Sequence, residues 1–173
     1  MNSVFKDAPL FNSDLSAWNV SQVQDMQAIF LRATSFNGDI GTWDVSSVAD
    51  MSYMFFDATS FSQDISAWNV SSVTNFSKMF DGATSFDSDL NSWPISTSSA
   101  VSMRNMFYNA ASFSGDLQDW QVSTVVDMHY MFARATSFAG NLSAWNVSQV
   151  QNMQGLFFFA TSFDSVLDAW DVR

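Results

Sequence analysis

The sequence predicts an α/β solenoid in which about seven 25-residue coils stack on one another, forming a single repeat-array domain over residues 1–173. Three observations predict it. Tryptophan recurs at an almost constant step, with one slightly longer step in the fourth unit. Five apolar positions in each unit share one helical face, and a short alternating stretch around each tryptophan is typical of a strand. We expect parallel strands on one face of the solenoid and short helices on the other.

The repeat is visible when two segments are compared directly. Residues 33–55 read ATSFNGDIGTWDVSSVADMSYMF, and residues 58–80 read ATSFSQDISAWNVSSVTNFSKMF. The units are anchored at Trp18, Trp43, Trp68, Trp93, Trp120, Trp145 and Trp170. Because one short unit cannot bury its own apolar face, we expect the Trp, Phe, Met and Val columns to form the core by stacking.

The helix prediction depends on the apolar positions that follow each tryptophan. Val23, Met26, Ile29, Phe30 and Ala33 fall within about a third of a circle at 100° per residue. The preceding serine is a suitable N-cap.

The strand prediction depends on the alternation around each tryptophan. After Leu15, the apolar Trp18 and Val20 alternate with the small or polar residues Ala17, Asn19 and Ser21. A stretch with one buried face is typical of a short strand.

The acidic residues are unusual because all 17 are Asp, against only six Lys and Arg, for a net charge of −11. Asp bonds nearby backbone in turns, so this composition predicts a chain rich in turns. The charge disfavours nucleic acid and anionic membrane surfaces. No apolar run is long enough for direct membrane insertion.

The sequence offers little for catalysis. There is no cysteine, and His129 is the only histidine, at a position expected to face solvent. Transition-metal sites need several His or Cys ligands, and a serine nucleophile needs a base. We therefore expect a protein that is not an enzyme. The repeating Met and Trp columns are interpreted as core.

The motif resembles that of a known repeat family. The order Ile65-x-x-Trp68-x-Val70-Ser71-x-Val73 resembles the L-x-x-L-x-L segment of leucine-rich repeats, with Trp in the middle position. The whole unit is similar to the 25–26-residue repeat of bacterial and mycoplasma surface proteins, the BspA-like leucine-rich repeats. The resemblance implies a leucine-rich-repeat-like solenoid at the cell surface or outside the cell, serving adhesion or protein–protein interaction.

By analogy with that family, the binding surface is expected on the outward face of the sheet. Its candidate residues are Asn19, Asp44, Asn69, Gln121, Asn146 and Asp171. The partner would be a protein or another surface ligand. A plain solvated face is the alternative interpretation.

Two other polar columns suggest alternative hypotheses: the aspartates a calcium-stabilised solenoid, and the threonines an ice-interacting one. Calcium would be bound by Asp14, Asp39, Asp64, Asp89 and Asp116. Otherwise, each of these carboxylates accepts backbone N–H groups in its own turn. In the ice-interacting hypothesis, a regular column of hydroxyl groups would match ordered water; its members are Thr34, Thr59, Thr84, Thr136 and Thr161. The alternative interpretation is that these hydroxyls bond local backbone.

The pattern is irregular in one coil and at its ends. Two extra residues occur between Trp93 and Phe107, within residues 96–102, and predict a small bulge. The first and last coils lack polar caps. We therefore expect either a piece of a longer array or end-to-end self-association.

Overall fold

The computed structural model describes residues 1–95 and 99–172, and it has no helix within them. Its two strands, β1 (Val101–Ser102) and β2 (Val125–Asp127), pair in parallel. Isolated parallel bridges join Asp25 to Asp50, Asp50 to Asn75, Asn75 to Ser102 and Asp127 to Asn152. The prediction of an α/β leucine-rich-repeat-like solenoid with helices on one face is therefore wrong. The repeats stack, but almost without regular secondary structure.

The segment predicted as a helix is instead hydrogen-bonded to the neighbouring coil. We call it the ladder segment: residues 25–32 and the equivalents 1–7, 50–57, 75–82, 102–109, 127–134 and 152–159. The N–H groups of Met26, Ala28 and Phe30 each donate to a backbone carbonyl of the next coil, at 2.9 Å. In an α-helix, these N–H groups would bond to carbonyls four residues back, so the ladder excludes the helix.

Backbone conformation explains why the helix does not form. Ala28 and Arg32 have left-handed φ angles of 55° and 56°, and the equivalent positions are left-handed in every coil. A left-handed residue breaks a right-handed helix, and here two such residues lie four positions apart. Tight turns then close around them, with the N–H of Leu31 donating to the Ala28 carbonyl at 3.3 Å.

The predicted strand around each tryptophan is also wrong, because side chains provide the inter-coil bonds there. The indole Nε1–H of Trp43 donates to the Leu15 carbonyl at 3.0 Å, and that of Trp68 donates to the Ile40 carbonyl at 3.1 Å. The bond recurs at Trp93, Trp120, Trp145 and Trp170. In the described residues, parallel backbone pairing occurs instead at the start of the ladder segment and, for Val101 and Val125, immediately before it.

The core is the stack of apolar columns that the repeat predicts. Phe30 packs on Phe36 of its own coil, with ring centroids 3.8 Å apart, and on Phe55 of the next coil at 5.5 Å. Trp43 and Trp68 stack with centroids 6.5 Å apart and planes within 3°. Most members of the Met, Phe, Val and Trp columns are fully buried. Their interpretation as core is confirmed.

A register irregularity lies at the end of the stretch for which the fourth-coil bulge is predicted, but its extra residue, Val126, belongs to β2 in the next coil. The parallel register shifts between Val101 and Ser102, where β1 pairs with β2. Ser96, Thr97 and Ser98, which belong to the same predicted irregularity, lie outside the described residues.

Candidate functional site

The residues predicted to bind a ligand line one exposed surface, but this surface is not a sheet face. Asn19, Asp44, Asn69, Gln121, Asn146 and Asp171 are all exposed. The Oδ1 of Asp44 accepts the backbone N–H of Ser46 at 3.1 Å, and the same turn forms at the three asparagines. These side chains therefore shape turns. We call this surface the polar column.

The Asp column proposed for calcium also makes turns. Asp14 and Asp64 accept the N–H of the residue two positions on, at 2.8 and 2.9 Å, and this bond lowers the pKa of both carboxyls. Asp39, Asp89 and Asp116 accept in the same way. In the described part of the chain, no three carboxylate, imidazole or thiol groups converge as metal ligands do.

We expect calcium to leave stability unchanged, because each of these carboxylates already has a backbone partner. Melting is compared in EDTA and in about 1 mM CaCl₂. A ligand present at about 100 times its Kd would add about 2.7 kcal/mol. A rise of several degrees, lost in the Asp39→Asn/Asp64→Asn variant, would show that calcium does bind the column.

The hydroxyls of the threonine column bond to backbone carbonyls of the preceding coil. The Oγ1–H of Thr34 donates to the Pro9 carbonyl, and that of Thr59 donates to the Thr34 carbonyl, both at 3.3 Å. Thr136 and Thr161 repeat the bond to the preceding coil. The hydroxyls therefore bond backbone, but the carbonyls that accept them lie in the neighbouring coil and not in the same loop, as the local-backbone interpretation had expected.

One carboxyl is buried in the ladder segment. Asp81 is 7% exposed and lies 3.6 Å from the Lys78 ammonium, which also covers the rings of Tyr53 and Phe56. Burial raises the pKa of Asp81 to about 6; the Lys78 charge opposes the rise and the Asp57 charge adds to it. Ionised Asp81 therefore destabilises the fold near neutral pH.

Replacing Asp81 by asparagine is expected to stabilise the protein by about 1–2 kcal/mol at pH 7.5, after allowance for solvent screening. The folded pKa lies above the unfolded value, so the wild-type chain gains stability as pH falls from 7 through 6 toward 4. The gain from Asp81→Asn should vanish near pH 4. Urea unfolding of both proteins at several pH values measures this difference in the free energy of unfolding. Asp44→Asn is the control, because a serine lowers the pKa of Asp44, and a gain of equal size there would refute this explanation.

The chemically diverse side chains are concentrated on one side of the ladder segment. We call this the variable strip: positions 27, 28, 31 and 32 and their equivalents in each coil. It carries all three tyrosines, the histidine and five of the six cations, while the sixth, Arg173, lies outside the described residues. Its distinctive members are Lys6, Arg32, Tyr53, Phe56, Lys78, Arg104, Tyr108, His129, Tyr130, Arg134, Phe158 and Phe159.

These side chains are all at least partly exposed, and several of them contact one another between neighbouring coils. Tyr108 and Tyr130, from neighbouring coils, meet edge to face at 6.4 Å, and Tyr130 reaches Phe158 at 6.1 Å. The strip was not among the predicted sites. The available signal was the concentration of tyrosine and of five of the six basic residues at four positions of the repeat.

His129 is less exposed than its predicted solvent-facing position implied. Its ring contacts Tyr130 at 4.5 Å, and its Nδ1 is buried without a hydrogen-bond partner in the described structure. The imidazole therefore packs within the strip.

The architecture defines a tandem-repeat protein built from stacked 25-residue coils. A family model described as Mycoplasma protein of unknown function, DUF285, matches residues 1–99 and 94–173, and the chain belongs to this family. The predicted relationship to mycoplasma repeat proteins is thereby confirmed. Comparison with curated proteins gives no match. The described residues include no helix long and apolar enough to span a bilayer.

Proposed function

We propose that this chain is a non-enzymatic interaction module that binds a protein or another surface ligand through the variable strip. The observation that carries the proposal is that different columns of the repeat contain different types of residue. Core and turn positions repeat from coil to coil, whereas all three tyrosines, five of the six cations and the exposed phenylalanines belong to the strip. Tyr, Phe and Arg are enriched where proteins bind one another.

The backbone beneath the strip supports this function. N–H groups of Tyr53 and Phe55 donate to the next coil at 2.9 and 2.8 Å, as their equivalents do along the array. Side chains projecting from such a ladder are held at fixed spacings. A rigid platform lowers the entropy lost on binding.

Cell-surface display and an adhesive role are part of the same proposal. They follow from the resemblance of the repeat word to BspA-like surface proteins, which extends the proposal beyond the family match. The polar column is a second candidate surface, favoured by its exposure along the array.

The proposal is tested by screening the purified chain against an array of extracellular proteins and measuring the affinity of each hit. The strip variant is Tyr53→Ser/Arg104→Ser/Tyr108→Ser, and the matched variant of the polar column is Asn69→Ser/Gln121→Ser/Asn146→Ser. We expect the strip variant to weaken binding at least about tenfold and the polar-column variant to leave it unchanged.

Thermal melting of both variants separates loss of contact from loss of fold. Binding that depends on the polar column alone would assign the function to that surface. Absence of any saturable binder would contradict the proposed function itself.

A further inference from the structure

A pocket of about 330 Å³ opens at the edge of the variable strip in the last three coils. Its wall is formed by Asn109, Ala111, Arg134, Thr136, Phe159 and Thr161. The hydroxyl groups of Thr136 and Thr161 already donate to carbonyls of the preceding coils. The side chains that remain to donate to a ligand are therefore the Arg134 guanidinium and the Asn109 amide.

Arg134 differs from the arginine at the equivalent position four coils earlier. Arg32 forms an ion pair at 3.2 Å with Asp7, which occupies the same position of the preceding coil. For Arg134, the corresponding neighbour is Asn109, and neither ion pair of the described residues includes Arg134. The guanidinium is exposed and lies 5.8 Å from the Phe159 ring. Within the described structure, its charge has no carboxylate beside it.

The surrounding part of the strip is basic, although the chain is strongly acidic. In the last three coils, the strip positions include Arg104, His129 and Arg134 and no Asp. In the first four coils, they include three cations together with Asp7, Asp57 and Asp81. In the same coil as Arg134, the ladder-segment carboxylate Asp127 accepts the backbone N–H of His129 at 2.9 Å.

Phe159 supplies an apolar wall at a conformational cost. It is 61% exposed and has a left-handed φ of 57°, where equivalent coils carry Asp, Arg, Gly or Asn. Bulky residues rarely adopt this conformation. Phe158 packs against Phe159 edge to face, with ring centroids 4.4 Å apart.

We propose that this pocket binds an acidic peptide segment of a partner protein, with its carboxylate on Arg134 and an adjacent apolar side chain on Phe159. A guanidinium recognises a carboxylate through two parallel N–H···O bonds. Asn109 offers a further N–H, and the pocket is open enough to admit the peptide from solvent. This inference depends on the proposed function and assigns one part of the strip a ligand.

The test is an NMR titration at 150 mM NaCl with acetyl-Phe-Asp-Phe-amide and its Asn counterpart. We expect the acidic peptide to shift the amide resonances of Arg134, Thr136 and Phe159 saturably, with at least about tenfold tighter binding than the neutral peptide. Arg134→Gln should abolish that difference. Arg134→Lys should retain part of it, because lysine keeps the charge and loses the bidentate geometry.

Gln22→Ala is the control and should leave peptide binding unchanged, because Gln22 is exposed, lies outside the last three coils and belongs to neither candidate surface. Equal affinity for the two peptides would overturn the proposed peptide site. So would an affinity that Arg134→Gln leaves unchanged, provided that this variant melts normally. So would concentration-dependent shifts at these residues without peptide, since they would place a second copy there. If a partner found by array screening also binds the Arg134→Gln variant with unchanged affinity, the proposed role of the pocket is wrong, whereas the proposed interaction module is not contradicted.

Discussion

Replacing Phe80 by alanine is expected to lower the free energy of unfolding by about 3–5 kcal/mol. The side chain is fully buried in the middle of the array. Its ring lies 3.9 Å from Phe86 in its own coil and 5.6 and 5.5 Å from Phe55 and Phe107 in the flanking coils. Removing it leaves a cavity touching three coils, and those coils cannot collapse around it without breaking their hydrogen-bonded ladder.

Urea unfolding followed by tryptophan fluorescence measures this loss. Phe76→Met is the control, because the equivalent position is Met in the other coils, as at Met51 and Met103. This swap should cost less than about 1.5 kcal/mol. If Phe80→Ala cost no more than the control, Phe80 would not lie in a continuous aromatic core.

Inserting Gly-Ser between Met79 and Phe80 is expected to abolish cooperative folding of the central coils. The insertion lies in the ladder segment, where Phe80 N–H donates to the Met106 carbonyl at 2.9 Å. Two extra residues would move every following side chain away from its column, and each coil is stabilised mainly by its neighbours.

The same insertion between Ser71 and Ser72 should be tolerated, at a cost below about 1 kcal/mol. The sequence of the fourth coil already has two extra residues in the corresponding stretch, and the parallel register shifts after that stretch, between Val101 and Ser102. Circular dichroism and fluorescence melting compare the two variants. Similar melting of both would mean that the ladder does not set the register.

Much of this molecule can be predicted from periodicity. The spacing of Trp68 and Trp93 identifies the stack, and the apolar columns identify the core, because both depend only on which residues recur. The absence of Glu correctly predicts a chain of turns, since Asp14 and Asp44 have side chains short enough to accept an N–H two residues on.

Secondary structure could not be predicted in the same way. Met26, Ile29 and Phe30 have the spacing of one face of a helix. Successive tight turns with two left-handed residues place the same three side chains in the core. Spacing alone does not distinguish the two. Gly82 and Asn109, in the predicted helix interior, were the contrary signal, because Gly and Asn adopt left-handed φ more easily than other residues.

The candidate site was missed because the binding face was assigned by fold analogy to a sheet. The variable strip lies instead on the segment predicted as a helix. Its pocket depends on Arg134 and Phe159, which belong to successive coils and become adjacent only when those coils stack. The pairing of Arg32 with Asp7, which makes unpaired Arg134 unusual, likewise appears only in three dimensions.

NMR detection of couplings across hydrogen bonds tests the central claim most directly, since it identifies the acceptor of each amide. We expect the amide of Ala28 to correlate with the carbonyl carbon of Ser52, and that of Tyr53 with Ser77, as the 2.9 Å bonds require. Correlations to residues four positions earlier, Gln24 for Ala28 and Ala49 for Tyr53, would establish helices and contradict the stacked ladder.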